Sequence, residues 1–307
     1  MVAIKETRVE KVSMRKQGNR VAFLVIGNQV VFQFGTLIMM IVISIVLSML
    51  GLSKETIQNI NPLISSDLMQ LVAGIIFLVF YLRNRKTFEP MKRKNGSIKL
   101  IFIGLMVVLG ANMICSTIEV VFRYVGNIAL MPTSGASVNE NNLLAWIVLG
   151  AVFPAIFEEL TYRCVLYRVL RLNGIIYATV VSSIIFGLVH MNFIQIPFAF
   201  CLGCVCCFLY EYTGKIRYSM LIHFINNSIM FVIEAMPVNM KLVDYVQAFT
   251  GVVCFVFICI MIIAKRRKIY IDYMKEDINK IVWNITSGGM LILAFVCVAM
   301  SILMINA

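Results

Sequence analysis

The chain has 307 residues, 61% hydrophobic and 14% charged, with a mean hydropathy of +0.91, whereas a globular chain is about half apolar and about a quarter charged. So much apolar surface excludes a soluble globular protein and implies an all-α, polytopic transmembrane bundle, multi-pass in the cell membrane. The 27 Lys and Arg against 15 Asp and Glu leave a net charge of +12, which we read as basic loops gathered on one side of the bilayer rather than as nucleic-acid contact.

In chain order, the apolar segments are Val31 to Leu52, Leu68 to Leu82, Leu100 to Val121, Leu143 to Phe157 and onward, Ile175 to His190, Phe198 to Tyr210, Met220 to Ile233, Ala248 to Ala264 and Val282 to Ile305. Each covers most of a bilayer crossing of roughly 20 helical residues, so eight or nine spans are expected. The chain then divides into a basic segment over 1–30, N-terminal transmembrane helices over 31–142, a core over 143–233 and C-terminal helices over 234–307. Loops are expected at Ser53 to Asp67 and Arg123 to Asn142. The first apolar stretch is too long for a signal-peptide core and should remain as a span.

The basic residues test this segmentation. Lys5, Arg8, Lys11, Arg15, Lys16 and Arg20 precede the first span, and Arg83, Arg85, Lys86, Lys92, Arg93, Lys94 and Lys99 follow the second. The opposite side receives only Lys54, Arg123 and Lys241 in a nine-span arrangement. This places the N-terminus in the cytoplasm, with the basic loops against anionic lipid headgroups. The nine cysteines all fall in apolar segments; they read as small packing residues, and the Cys201 to Cys207 cluster carries no metal expectation. No cofactor is expected, and the sequence carries no signal for oligomeric state.

Ionisable residues inside the bilayer cost several kcal/mol and mark function. Three places stand out: Glu158-Glu159 with Arg163, the sequence Phe186 to His190, and His223 with Asn227. His190 and His223 are the chain's only histidines. Glu159 and Arg163 are spaced i,i+4, acid first, which favours a helical ion pair. Glu158 is left without a cation on its own helix, which suits a base. Glu158 lies 16 residues before Gly174 and His190 lies 16 after it, so a hairpin turning at Asn173-Gly174 brings them to one depth. His223, only nine residues past Gly214, should sit shallower by the same count. Glu119 and Glu234 are expected to be solvated or interfacial carboxylates, and Phe186 to pack beneath His190.

Together, Glu-Glu-x-x-x-Arg at 158–163, Phe-x-x-x-His at 186–190 and His-x-x-x-Asn at 223–227 resemble the three motifs of the CPBP family, the CAAX proteases and bacteriocin-processing enzymes also called Abi. The resemblance implies a glutamate-dependent intramembrane endopeptidase. By it, Glu158 with His190 would activate water, His223 and Asn227 would stabilise the oxyanion, and Glu159 and Arg163 would support them. Its substrate would be a peptide or membrane protein: a prenylated CAAX-type, bacteriocin or signalling peptide. Two alternatives stay open. One is a zinc-dependent protease using Glu158, Glu159, His190 and His223, although no His-Glu-x-x-His helix supplies its usual ligands. The other is a non-catalytic immunity or regulatory scaffold in which the same cluster holds the bundle together.

Overall fold

The computed structural model describes residues 2–87, 91, 95–96, 98–126, 138–236, 242–243, 245–246, 249–253, 256 and 271–305, and among them there is no strand. The helices of use below are α1 (Val2–Met49), α2 (Lys54–Asn84), α3 (Ile98–Gly126), α4 (Leu143–Arg171), α5 (Ile175–Leu188), α6 (Gln195–Thr213), α7 (Arg217–Ala235), α8 (Ile271–Ile285) and α9 (Gly288–Ile305). Helices are the form that satisfies every backbone N–H and C=O inside a bilayer without an open sheet edge.

Five of the described helices are long and apolar enough to cross a membrane, and six if the bent pair α8 and α9 counts as one span. The expected span Ala248 to Ala264 falls mostly outside the described residues. A surface suited to lipid runs along α1, where Phe34, Leu37, Ile38, Ile41, Ile45 and Met49 are more than half exposed, a distribution no aqueous surface would tolerate.

Three expectations about the chain's course are corrected. The stretch Ser53 to Asp67 is not a loop, because α2 begins at Lys54. Ser53 caps it, its Oγ accepting from the backbone N–H of Thr56 at 3.1 Å, which meets one of the helix's unsatisfied donors. Asn61 then ties this first part to α1, donating to the Met40 carbonyl at 2.8 Å and to Ser44 Oγ at 2.7 Å. The region after α3 differs too: Arg123 to Gly126 still belong to the helix, residues 127–137 lie outside the described set, and Asn139 to Asn142 form a turn closed by the Asn139 side chain. Finally, Val282 to Ile305 is not one straight span. The helix breaks at Thr286-Ser287 and bends by 67°, with Thr286 Oγ1 donating back to the Val282 carbonyl and Ser287 Oγ accepting from the N–H of Met290.

The basic N-terminal residues and the first apolar stretch lie on one continuous helix, 48 residues long. Met14, Val21, Ala22 and Val25 on its first half are buried in the central core with residues of α4, α5 and α6. That core is built mainly by Tyr162, Leu166, Tyr167 and Leu170 of α4, Tyr177, Val181, Ile185 and Phe186 of α5, and Leu202, Cys206 and Leu209 of α6. The expected solvated carboxylate at Glu119 is instead buried, at 3% exposure, and paired with Arg123 one turn on at 3.3 Å. A carboxylate that leaves water needs such a partner.

Candidate active site

The site is assembled by α4, α5 and α7, with a contribution from α2. Helix α4 is not α-helical throughout. Trp146–Val152 and Leu160–Tyr167 are π-helical, and the α-helical turn Phe153–Glu159 lies between them. Pro154 stands at the start of that stretch, where, having no N–H, it leaves a gap in the hydrogen-bond ladder of the helix. π-Helical turns are rare and concentrate at functional sites; here they bracket Glu158 and Glu159.

Glu159 is fully buried. Its Oε2 lies 3.1 Å from Nε of Arg163, which is itself 1% exposed, and its Oε1 accepts from Nδ1 of His223 at 3.0 Å. The Arg163 guanidinium stacks 4.1 Å above the ring of Phe186. Phe186 touches more than His190: its ring meets His190 edge-on at 4.9 Å, His223 at 6.1 Å and Tyr162 at 5.0 Å. One buried aromatic ring thus sets the spacing of a cation and both histidines.

Glu158 points elsewhere. Its Oε1 accepts from Nε2 of Gln70 on α2 at 3.1 Å, and its Oε2 is 3.8 Å from Nε2 of His223. Its side chain keeps 18% exposure, so it can be reached from a cavity while Glu159 cannot. His190 hydrogen-bonds through Nδ1 to the carbonyl of Phe186 at 2.7 Å. A carbonyl and a carboxylate only accept, so both histidines carry a proton on Nδ1 and present Nε2 to the site.

The turn that holds His190 is tightly specified. Met191 is buried with a φ of +50°, a conformation costly for a side chain of this kind and characteristic of functional sites. Asn192 follows, its Oδ1 accepting from the N–H groups of Ile194 and Gln195 to start α6. Gly187 allows the close approach beneath: a Cβ there would lie 2.6 Å from the Ile196 carbonyl oxygen.

Two cavities meet at Glu158 and His190. The larger, about 410 Å³, also reaches His223, Asn226 and Asn227 and has apolar walls from Phe198, Leu202, Met230 and Phe231; Glu234 stands at its edge. Asn227 Oδ1 accepts from Nδ2 of Asn226 at 3.2 Å, which leaves the Asn227 amide protons for another acceptor. The smaller cavity, about 230 Å³, lies between α1, α2 and α4.

Glu158 and His190 therefore line the same space, as the hairpin count requires. His223 does not sit shallower: it bonds to Glu159 and approaches Glu158. Residue spacing gave no warning of Gln70, 88 positions before its partner, of Met191 or of the buried Asn226. Polar amides inside apolar helices were the one available signal. No group of three His, Cys, Asp or Glu suited to a metal ion occurs among the described residues.

No solved structure matches the chain. A relative described as "Putative membrane peptidase YdiL", from Bacillus subtilis (strain 168), is 25% identical over 187 residues, covering 58% of this chain and 76% of the relative. The family described as "Type II CAAX prenyl endopeptidase Rce1-like" matches residues 140–229, the stretch that carries Glu158, His190, His223 and Asn227, and the resemblance to the CPBP family stands on both findings.

Proposed function

We propose that this chain is an intramembrane endopeptidase in which Glu158 activates the water that attacks a peptide carbonyl. The comparisons support a membrane peptidase of the CAAX type in general; the mechanism is our reading of the site. The observation that carries it is the convergence of Glu158 and the Nε2 atoms of His190 and His223 on one cavity boundary. Water held between Glu158 and His190 Nε2 gives a proton to the Glu158 carboxylate as its oxygen adds to the carbonyl. Glu158 then returns that proton to the leaving amine.

The oxyanion formed in between is met by Asn227 and His223. With Nδ1–H spent on Glu159, His223 donates from Nε2 when it carries a second proton. Glu159 stands behind the ring to balance that charge, as a carboxylate stands behind the histidine of a Ser-His-Asp triad. A preorganised donor of this kind contributes about 3 kcal/mol. The apolar walls of the 410 Å³ cavity suit a hydrophobic substrate: a prenylated CAAX-type peptide, a bacteriocin or a signalling peptide.

The test is cleavage of a farnesylated CAAX peptide by protein in liposomes, alongside a comparison of peptides released by cells carrying wild type or Glu158→Gln. The variant is expected to lose at least about a hundredfold in turnover with its unfolding midpoint unchanged, and activity should persist in strong chelator. Undiminished cleavage by Glu158→Gln refutes the reading, and activity lost to chelator and restored by zinc moves it to metal-assisted hydrolysis. Lys and Arg placement further supports an N-terminus in the cytoplasm; a reporter fused there that reads as external would overturn this.

A further inference from the structure

The smaller cavity is lined by α1 and α2, which the larger one does not reach. Around Glu158 and His190 it gathers the side-chain amides of Asn28, Gln29 and Gln33 from α1 and Gln70 from α2. All four lie outside the stretch matched by the Rce1-like family. Asn28 is 7% exposed, yet its Oδ1 is buried with no hydrogen-bond partner among the described residues, and Gln29 Oε1 and Gln70 Oε1 have none either. A buried amide oxygen left bare costs about 1–3 kcal/mol. Three of them at one cavity with room for several water molecules point to donors that the protein does not itself supply.

We propose that this cavity is a hydration chamber from which Glu158 draws its attacking water, and that Gln70 is a positioning residue which turns the Glu158 carboxylate between chamber and substrate cleft. The inference rests on the peptidase reading. It gives α1 and α2 a task beyond crossing the membrane: hydrolysis consumes water, and a bilayer interior offers none. Asn28 and Gln70 accept hydrogen bonds from the stored water. Gln70 Nε2 holds Glu158 Oε1, which leaves Oε2 facing His223 and the cleft. The cleft lined by α6 and α7 is thereby kept for substrate and the space against α1 and α2 for water.

Gly74 offers a way to fill the chamber without touching Glu158. It lines the cavity, and a Cβ there would have Thr161 Oγ1, at 4.0 Å, as its nearest neighbour. The experiment is hydroxyl-radical footprinting of wild type, Gly74→Leu and Gln70→Leu in lipid nanodiscs, with kinetics on the farnesylated CAAX peptide. Tyr162, 6% exposed, lines the chamber, whereas Tyr177 is fully buried and lines neither cavity of the site. Bound water should make Tyr162 oxidise several times faster than Tyr177 in wild type, and Gly74→Leu should erase the difference. Both variants should lose about tenfold in kcat, the size of one hydrogen bond to a charged group, with KM within about twofold.

Equal oxidation of the two tyrosines in wild type overturns the chamber, whatever the kinetics show. Unchanged kcat in Gly74→Leu overturns its role in supplying water, and a loss carried by KM in Gln70→Leu overturns the positioning role. Failure of wild type to cut any peptide overturns the peptidase reading instead and leaves the footprint to be judged by itself. If Gln70→Leu does not fold, wild type and Gly74→Leu decide the matter.

Discussion

Replacing Arg163 with methionine tests the buried network directly. The side chain is of similar length and stays apolar, so the change removes charge more than volume. Arg163 and Glu159 are 1% and 0% exposed and 3.1 Å apart, so the substitution strands a carboxylate where water cannot reach it. Breaking such a pair costs about 3–5 kcal/mol. His223 still donates to Glu159 at 3.0 Å, which argues for the lower end, about 3 kcal/mol. Losing the guanidinium stack on Phe186 at 4.1 Å adds about 1–2 kcal/mol. We expect about 4 kcal/mol in total, because the two terms share one side chain and do not add fully. The assay is reversible unfolding in mixed detergent micelles. The double variant Arg163→Met with Glu159→Gln removes the stranded charge and should recover at least half of the loss. A single variant within about 1 kcal/mol of wild type, or a double variant no better than the single, would refute the account of Glu159 as a buried, compensated charge.

Two further predictions concern stability alone. Asp67 on α2 is 4% exposed, and neither of its carboxylate oxygens has a hydrogen-bond partner among the described residues; Asp67→Asn should leave the unfolding midpoint unchanged or raise it, and a loss above about 1 kcal/mol would show a partner that the carboxylate needs. Gly214 ends α6 with a φ of +65°, so Gly214→Ala should cost about 1 kcal/mol in the same assay, and a neutral result would mean that the turn relaxes.

The helical membrane class was legible because composition alone forbids a soluble core. The motif residues were legible for a related reason: an ionisable group is rare in an apolar run, so Glu158, Glu159, Arg163, His190 and His223 stand out. The i,i+4 rule gave the Glu159–Arg163 pair because both residues ride one helix. Long-range partners were not legible. Gln70 is a neutral amide 88 residues from Glu158, and no periodicity ties the two. The same rule chose Asn227, while the structure buries its neighbour Asn226 more deeply. The start of α2 was misread because Asn61, Pro62, Ser65 and Ser66 look like loop chemistry. Asn61 instead bonds to α1 and accepts from Ser65, while Ser66 donates back to the Leu63 carbonyl, as polar residues facing a neighbouring helix in a membrane can do. The depth of His223 was misjudged because a residue count from Gly214 says nothing of how deep that turn lies, and the π-helical change of pitch along α4 has no signature in the spacing either.

That change of pitch has a consequence for how the site can be altered. Each residue added to an α-helix turns everything beyond it by about 100°, and a π-helical stretch absorbs such an addition locally. Glu158 and Glu159 lie between two such stretches, so the directions they face are set independently of both ends of α4. Insertions or deletions nearer the membrane surfaces can be taken up before they reach the pair. The stretch Phe153–Glu159 behaves as a short indexed spindle inside a longer shaft, with one carboxylate held against Arg163 and the other left facing the cavities.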